Sequence, residues 1–123
     1  MEKNLTIREM ARRTHLTEHT LRYYERIGLI KAVARSQSGH RHYSAQDLAW
    51  IEFLMRLRST GMPIRDMQRF AELRHQGDKT AGKRRVMLET HLTHVQKQIT
   101  ELTHYKKILI TKIKLYKSIE ENV

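Results

Sequence analysis

The sequence predicts a mainly α-helical protein in which a small N-terminal domain is followed by one long helix. Three observations support this fold class. Capping-box patterns precede apolar residues at helical spacing, a serine- and glycine-containing segment separates two β-compatible runs, and residues 80–118 carry a heptad pattern without proline. With 123 residues, the chain has room for one small core and one extended element.

Two short helices are predicted near the N-terminus. Thr6 and Glu9 form a capping box, in which a hydroxyl and a carboxylate satisfy free amides at a helix start. Thr17 is placed to cap a second helix, and Gly28 suits the left-handed residue that ends it. Because only two residues separate these helices, they are expected to form a helix-turn-helix over about 6–25.

A small β-hairpin is expected next, over about residues 30–43. Residues 30–33 and 40–43 are β-compatible runs, and the serines and glycine between them favour a turn. A hairpin that follows a helix-turn-helix is a wing. The N-terminal domain is therefore predicted to be a winged helix-turn-helix.

Two more helices complete the predicted domain. Ser44 and Asp47 form a second capping box, and Pro63 suits the first turn of the following helix. The polar segment 76–79 then separates this domain, predicted to cover residues 1–76, from the long helix.

Residues 80–118 are predicted to form one dimerisation helix of roughly 58 Å. Apolar residues recur there at alternating steps of four and three, with Lys106 at one of the seam positions, and such a seam would be exposed to water unless a partner covered it. A second copy of the chain is the favoured partner, and packing along the chain's own N-terminal domain is the alternative. The seam residues are Leu88, Leu92, Val95, Ile99, Leu102, Leu109, Ile113 and Tyr116.

The charge of the chain indicates a polyanionic partner. There are 24 Lys and Arg against 13 Asp and Glu, a net charge of +11, which suits nucleic acid first and an anionic membrane second. No window approaches the roughly 20 apolar residues of a membrane span, and no apolar signal core is found near the N-terminus. We therefore expect no membrane partner and a cytoplasmic location.

Catalysis and cofactor binding are not expected. The sequence has no glycine-rich phosphate loop, nucleophile elbow or paired-carboxylate motif, and no cysteine for thiolate chemistry or thiolate metal sites. His91 and His94 have a spacing that could bind one metal ion, but solvated surface histidines are the preferred interpretation. The sequence predicts no enzyme, no cofactor and no metal site, and it leaves a non-specific, nucleoid-type nucleic-acid-binding protein as the alternative function.

Two motifs carry a resemblance to a known family. The run Leu-Arg-Tyr-Tyr-Glu-Arg-Ile-Gly-Leu at 21–29 and the run Ser-Gly-His-Arg-His-Tyr-Ser at 38–44 resemble the MerR family of transcription regulators, and the likeness covers essentially the whole chain. It implies a winged domain, two further helices and a long antiparallel dimerisation helix. It also implies a homodimer that binds a pseudo-palindromic promoter site and distorts the spacer, so that RNA polymerase engages both promoter elements indirectly. Activation and repression are both open.

The family pattern implies which residues contact DNA. The first residues of the second helix can reach base edges in the major groove, whereas Arg22, Tyr23 and Arg41 match phosphate ligands. Tyr24 and Tyr43 either contact the DNA backbone or pack in the core. The predicted DNA-binding residues are Thr17, Glu18, His19, Thr20, Arg22, Tyr23, Tyr24, Arg41 and Tyr43.

A third motif resembles one branch of the family and differs from that branch at one position. The run from Trp50 to Gly61 is similar to the branch of the family that responds to aldehydes and related electrophiles. The cysteine that members of that branch commonly carry corresponds by alignment to Arg56. Because arginine is not alkylated or oxidised as a thiolate is, thiol-based sensing is not expected of this chain.

Overall fold

A computed structural model describes residues 4–31 and 34–123 of the chain. It confirms the mainly α-helical fold with a small hairpin and one long C-terminal helix. The elements are α1 (Ile7–Thr14), α2 (Glu18–Arg26), β1 (Ala34–Arg35), β2 (Arg41–His42), α3 (Ala45–Ser59), α4 (Ile64–His75), a 3-10 turn (Asp78–Thr80) and α5 (Ala81–Glu121).

The first two helices begin and end as their local sequence predicts. The Thr6 hydroxyl accepts the N–H of Glu9 at 3.1 Å, and the Thr17 hydroxyl accepts the N–H of Thr20 at 3.0 Å. The turn between the helices contains His15 in the left-handed conformation, with φ of 59°. Gly28 has φ of 85°, a conformation that glycine adopts without strain and that allows the chain to leave α2.

The wing begins later than its β-compatible run suggests. Its strands pair Ala34 with His42 and Arg35 with Arg41, whereas the first strand was expected at residues 30–33, of which residues 32 and 33 lie outside the described residues. Ile30 is buried in the core, and its N–H bonds to the carbonyl of Tyr24 at 3.2 Å. Its β-compatible character therefore reflects burial at the end of α2, not strand pairing.

Leu5, which precedes α1, is hydrogen-bonded to the end of the wing. Leu5 and Tyr43 form an antiparallel bridge in which each N–H donates to the other's carbonyl, at 2.7 and 2.8 Å. Both side chains are buried. The base of the wing is thus fixed to the domain by backbone hydrogen bonds as well as by apolar packing.

An aromatic cluster on α3 and α4 supports the end of α2. Trp50 donates from Nε1 to the carbonyl of Leu29 at 2.9 Å, and Gln68 donates from Nε2 to the carbonyl of Ile27 at 2.9 Å. The Trp50 ring stacks on Phe70 with centroids 5.8 Å apart, and the guanidinium of Arg74 lies 4.3 Å from the Trp50 ring centroid. These contacts pair two carbonyls in the loop that leads from α2 to the wing.

The chain divides into two compact units, residues 1–87 and residues 88–123. The N-terminal unit therefore includes the first turns of α5, beyond the polar segment at 76–79. Thr80 is buried and its hydroxyl donates to the carbonyl of Leu73, while Arg84 donates to the Thr80 hydroxyl and to the carbonyl of Gly77, both at 3.1 Å. These bonds attach the start of α5 to the N-terminal unit.

The second unit is a single helix with an exposed apolar stripe. Leu88 and Val95 are half-buried, and the other six predicted seam residues are each more than half exposed in the single chain. Leu102, at the centre of the stripe, is 65% exposed. No helix among the described residues is both long and apolar enough to cross a membrane.

The Trp50 hydrogen bond gives a stability prediction. Trp50→Phe keeps a ring against Phe70 but leaves the carbonyl of Leu29 without its buried donor, so we expect the free energy of unfolding to fall by about 1–3 kcal/mol. Urea unfolding at fixed protein concentration measures this loss, and Gln96→Ala on the exposed face of α5 is the control. An unfolding midpoint equal to that of the unaltered protein would show that the Trp50 bond contributes nothing.

Candidate nucleic-acid interface

The four predicted base-reading residues at the start of α2 differ in how they are bonded. The Thr17 hydroxyl caps the helix and also donates to the hydroxyl of Thr20 at 2.9 Å, so both threonines serve the helix start. His19 is exposed, and Glu18 is partly exposed and pairs with Arg22. A single helical turn therefore brings His19 and Glu18 to the surface at the end of α2 that could enter a groove.

Arg22 and Tyr23 lie on the exposed surface of α2. Arg22 Nη2 is 3.4 Å from Glu18 Oε1, a loose pair with an Arg22 side chain that is 48% exposed. Such an exposed pair contributes little to stability, so the guanidinium can exchange its partner for a phosphate at small cost. Arg26, which the sequence analysis did not select, lies with its guanidinium 5.6 Å from the Tyr23 ring centroid. The i,i+3 spacing of Tyr23 and Arg26 was the signal for that contact.

The wing arginine is held by a carboxylate on α2. Arg41 Nε donates to Glu25 Oε2 at 2.7 Å, and the two side chains are only 19% and 13% exposed. Among the residues that the structure describes, no further hydrogen bond of the Arg41 guanidinium is found. Glu25 was part of the family motif but was not selected as a site residue.

The two tyrosines whose role was left between core and DNA contact lie in the core. Tyr43 has 0% exposure and Tyr24 is also buried. The Tyr43 side chain therefore has no surface with which to contact DNA in this conformation, which corrects the prediction for that residue. Burial raises the pKa of the Tyr43 phenol above its usual value, so the group is a neutral hydroxyl at physiological pH.

The sequence raised two further positions, a histidine pair on α5 and Arg56 on α3. No group of three or more His, Asp or Glu side chains in the described part of the chain is arranged to hold a metal ion, and His94 is exposed on α5. Arg56, at the position of the branch's cysteine, lies exposed in the last turn of α3. Of the two arginines predicted to bind phosphate, Arg22 is exposed and Arg41 is shielded.

Comparison with known proteins agrees with this geometry. The sequence matches the family described as MerR HTH family regulatory protein over residues 5–73, and the family described as MerR, DNA binding over residues 48–111. An uncharacterized HTH-type transcriptional regulator of Haemophilus influenzae is 35% identical over 90% of this chain and 82% of its own length. The HTH-type transcriptional regulator AdhR of Bacillus subtilis is 40% identical over 68% of this chain and 60% of its own length.

Two crystal structures of MerR family regulators share this fold at a similar sequence identity. The crystal structure of HiNmlR, described as a MerR family regulator lacking the sensor domain and bound to promoter DNA, superposes with a TM-score of 0.87 at 34% identity. The alignment covers 94% of this chain and 91% of that one. A MerR family regulator from Listeria monocytogenes gives 0.85 at 32% identity, over 91% of this chain and 85% of that one. This chain belongs to the MerR family and is a DNA-binding transcriptional regulator.

Proposed function

We propose that this regulator binds a pseudo-palindromic promoter site as a homodimer and distorts the promoter spacer to control transcription. Each protomer would insert the first turn of α2 into the major groove and place its wing on the neighbouring backbone. The observation that carries this proposal is the shared support of the two elements. Trp50 and Gln68 fix the end of α2, and Glu25 on α2 fixes Arg41 on the wing.

The exposed stripe of α5 supports the homodimer. Seven apolar side chains from Leu92 to Tyr116, excluding the lysine at 106, would be exposed to water along one helix unless a second helix covered them. Leu102 lies midway between Leu88 and Tyr116, so an antiparallel pair can place a two-fold axis near Leu102 and cover both ends of the stripe. Lys106 breaks the apolar seam once and could specify the register.

Two-fold pairing would present two α2–wing surfaces to one duplex. Two such surfaces match the half-sites of a pseudo-palindrome. A bend between the half-sites would be stabilised by the additional phosphate contacts that it permits, and the cost depends on the spacer sequence. RNA polymerase would then be affected indirectly, through the shape of the promoter, and the protein would act in the cytoplasm with the chromosome.

Regulation of this chain would not use a thiol, since the sequence contains no cysteine. Arg56 does not form the adducts of a thiolate. A constitutive DNA binder is the plainest form of this proposal. A regulated form would respond to a small ligand, to its own abundance or to a partner.

Sequence preference distinguishes this function from charge-driven, nucleoid-type binding. We expect selection of bound fragments from genomic DNA to recover a common pseudo-palindrome, bound at least about 1000-fold more tightly than unrelated duplex at the same salt concentration. Gel-shift titration with a scrambled duplex of equal length and composition measures the ratio. Equal affinity for both duplexes would contradict the proposal and support the nucleoid-type alternative.

The exposed arginine of α2 should contribute affinity without sequence preference. Arg22→Ala removes one proposed phosphate contact per protomer, so we expect roughly tenfold weaker binding to selected and scrambled duplexes alike, with a shallower salt dependence. His19→Ala should instead change the ranking of operator variants. Arg69→Ala on the exposed surface of α4 is the charge-matched control. An Arg22 variant with unchanged affinity and salt slope would exclude the proposed docking.

The seam of α5 should be required for pairing. Leu102→Glu would place charges near the proposed two-fold axis, and we expect it to weaken dimerisation by several kcal/mol, because the charges lose hydration without gaining a partner. Sedimentation velocity at micromolar concentration measures the change. Thr103→Glu, the adjacent exposed position, is the control for added charge. A monomeric unaltered protein would refute the homodimer.

A further inference from the structure

The ion pair between Glu25 on α2 and Arg41 on the wing places a carboxylate beside a proposed phosphate ligand. We infer that Glu25 is a positioning residue, which fixes the Arg41 guanidinium on the wing so that its two amino groups meet a backbone phosphate. This inference rests on the proposed DNA-binding function. It assigns to an acidic side chain a favourable role in binding a polyanion.

The geometry of the pair leaves the phosphate-binding edge of Arg41 available. Glu25 Oε2 accepts from Nε at 2.7 Å, and Nε is the inner nitrogen of the guanidinium. No hydrogen bond of the outer Nη groups is found among the described residues, and these groups carry the remaining donors of the planar fork. A carboxylate on Nε therefore restrains the plane of the group and leaves the Nη donors for another partner.

The surroundings of the pair hold it in place. Glu25 and Arg41 are 13% and 19% exposed, so the pair is shielded from water and its attraction is stronger than that of the exposed Arg22–Glu18 pair at 3.4 Å. Arg41 pairs with Arg35 across the hairpin, and the following bridge between Tyr43 and Leu5 anchors the same strand. The guanidinium is thus restrained from both the helix and the hairpin.

Net charge alone predicts that replacing Glu25 with a neutral residue strengthens DNA binding. Removing one carboxylate raises the net charge of each protomer by one unit, which by itself strengthens binding to DNA. A positioning role predicts weaker binding, because an unrestrained Arg41 loses side-chain entropy when it meets a phosphate. The sign of the change in affinity therefore separates the two explanations.

The experiment measures affinity for the selected fragment with Glu25→Ala and Glu25→Gln in the full chain. We expect Glu25→Ala to bind about tenfold more weakly despite its extra positive charge, and Glu25→Gln, which keeps an acceptor for Nε, to retain part of the affinity. Glu72→Ala on the exposed surface of α4 changes the net charge equally and should bind at least as tightly as the unaltered protein. Thermal melting of each variant confirms that it is folded at the assay temperature.

A double-mutant cycle shows whether Glu25 acts through Arg41. The loss caused by Glu25→Ala should disappear when Arg41 is already replaced by Ala. In the free protein, the Arg41 Nε–H should exchange with solvent more slowly than that of Arg22, and Glu25→Ala should remove the difference. NMR detects both exchange rates without DNA.

Three results would overturn the inference. Glu25→Ala binding as tightly as Glu72→Ala would show that charge decides, and an unchanged loss in the Arg41→Ala background would show that Glu25 acts through another group. Fast exchange of the Arg41 Nε–H in the unaltered protein would show that the pair does not restrain it. Failure of the unaltered protein to prefer any duplex is a separate result, which would refute the proposed function and this role with it.

Discussion

The C-terminal end of α2 fixes how α2 and the wing are oriented relative to each other. The helix and the wing diverge from this point, so any looseness here would change the angle between them. Four contacts meet within a few residues: Trp50 binds the carbonyl of Leu29, Gln68 binds that of Ile27, and the N–H groups of Leu29 and Ile30 bind the carbonyl of Tyr24. Left unpaired, a buried group such as the Leu29 carbonyl would cost of the order of 1–3 kcal/mol. The same bonds that stabilise the fold therefore orient the proposed DNA-binding surface.

Charge is distributed differently on the two elements of that surface. On α2, Arg22 is exposed and only loosely paired, which suits an adjustable phosphate contact. On the wing, Arg41 is shielded and paired closely with Glu25, which suits a contact of fixed direction. Family membership establishes that this is a DNA-binding regulator, and the physical difference between the two arginines suggests separate roles in affinity and register.

Local chemistry made much of the fold predictable from the sequence. Thr6, Thr17 and Ser44 each cap the helix that they were predicted to cap, because capping involves residues only three positions apart. The start of the first wing strand was misplaced, because the β-compatible character of Ile30 serves burial in the core. The Trp50–Leu29 and Glu25–Arg41 bonds join residues 21 and 16 positions apart, and no periodicity reports such pairs. Tyr43 is buried and bridged to Leu5 from a distant part of the chain, a pairing that neither local segment indicates.

The central claim is that two rigid α2–wing surfaces, related by the two-fold axis of a paired α5, dock on one duplex. Hydroxyl-radical footprinting of the selected promoter fragment tests it most directly, since it reports backbone protection nucleotide by nucleotide. The account predicts two equivalent sets of protected positions, related by two-fold symmetry about the centre of the spacer, with altered reactivity between them where the duplex is distorted. One unsymmetrical patch, or uniform protection without a centre, would contradict it.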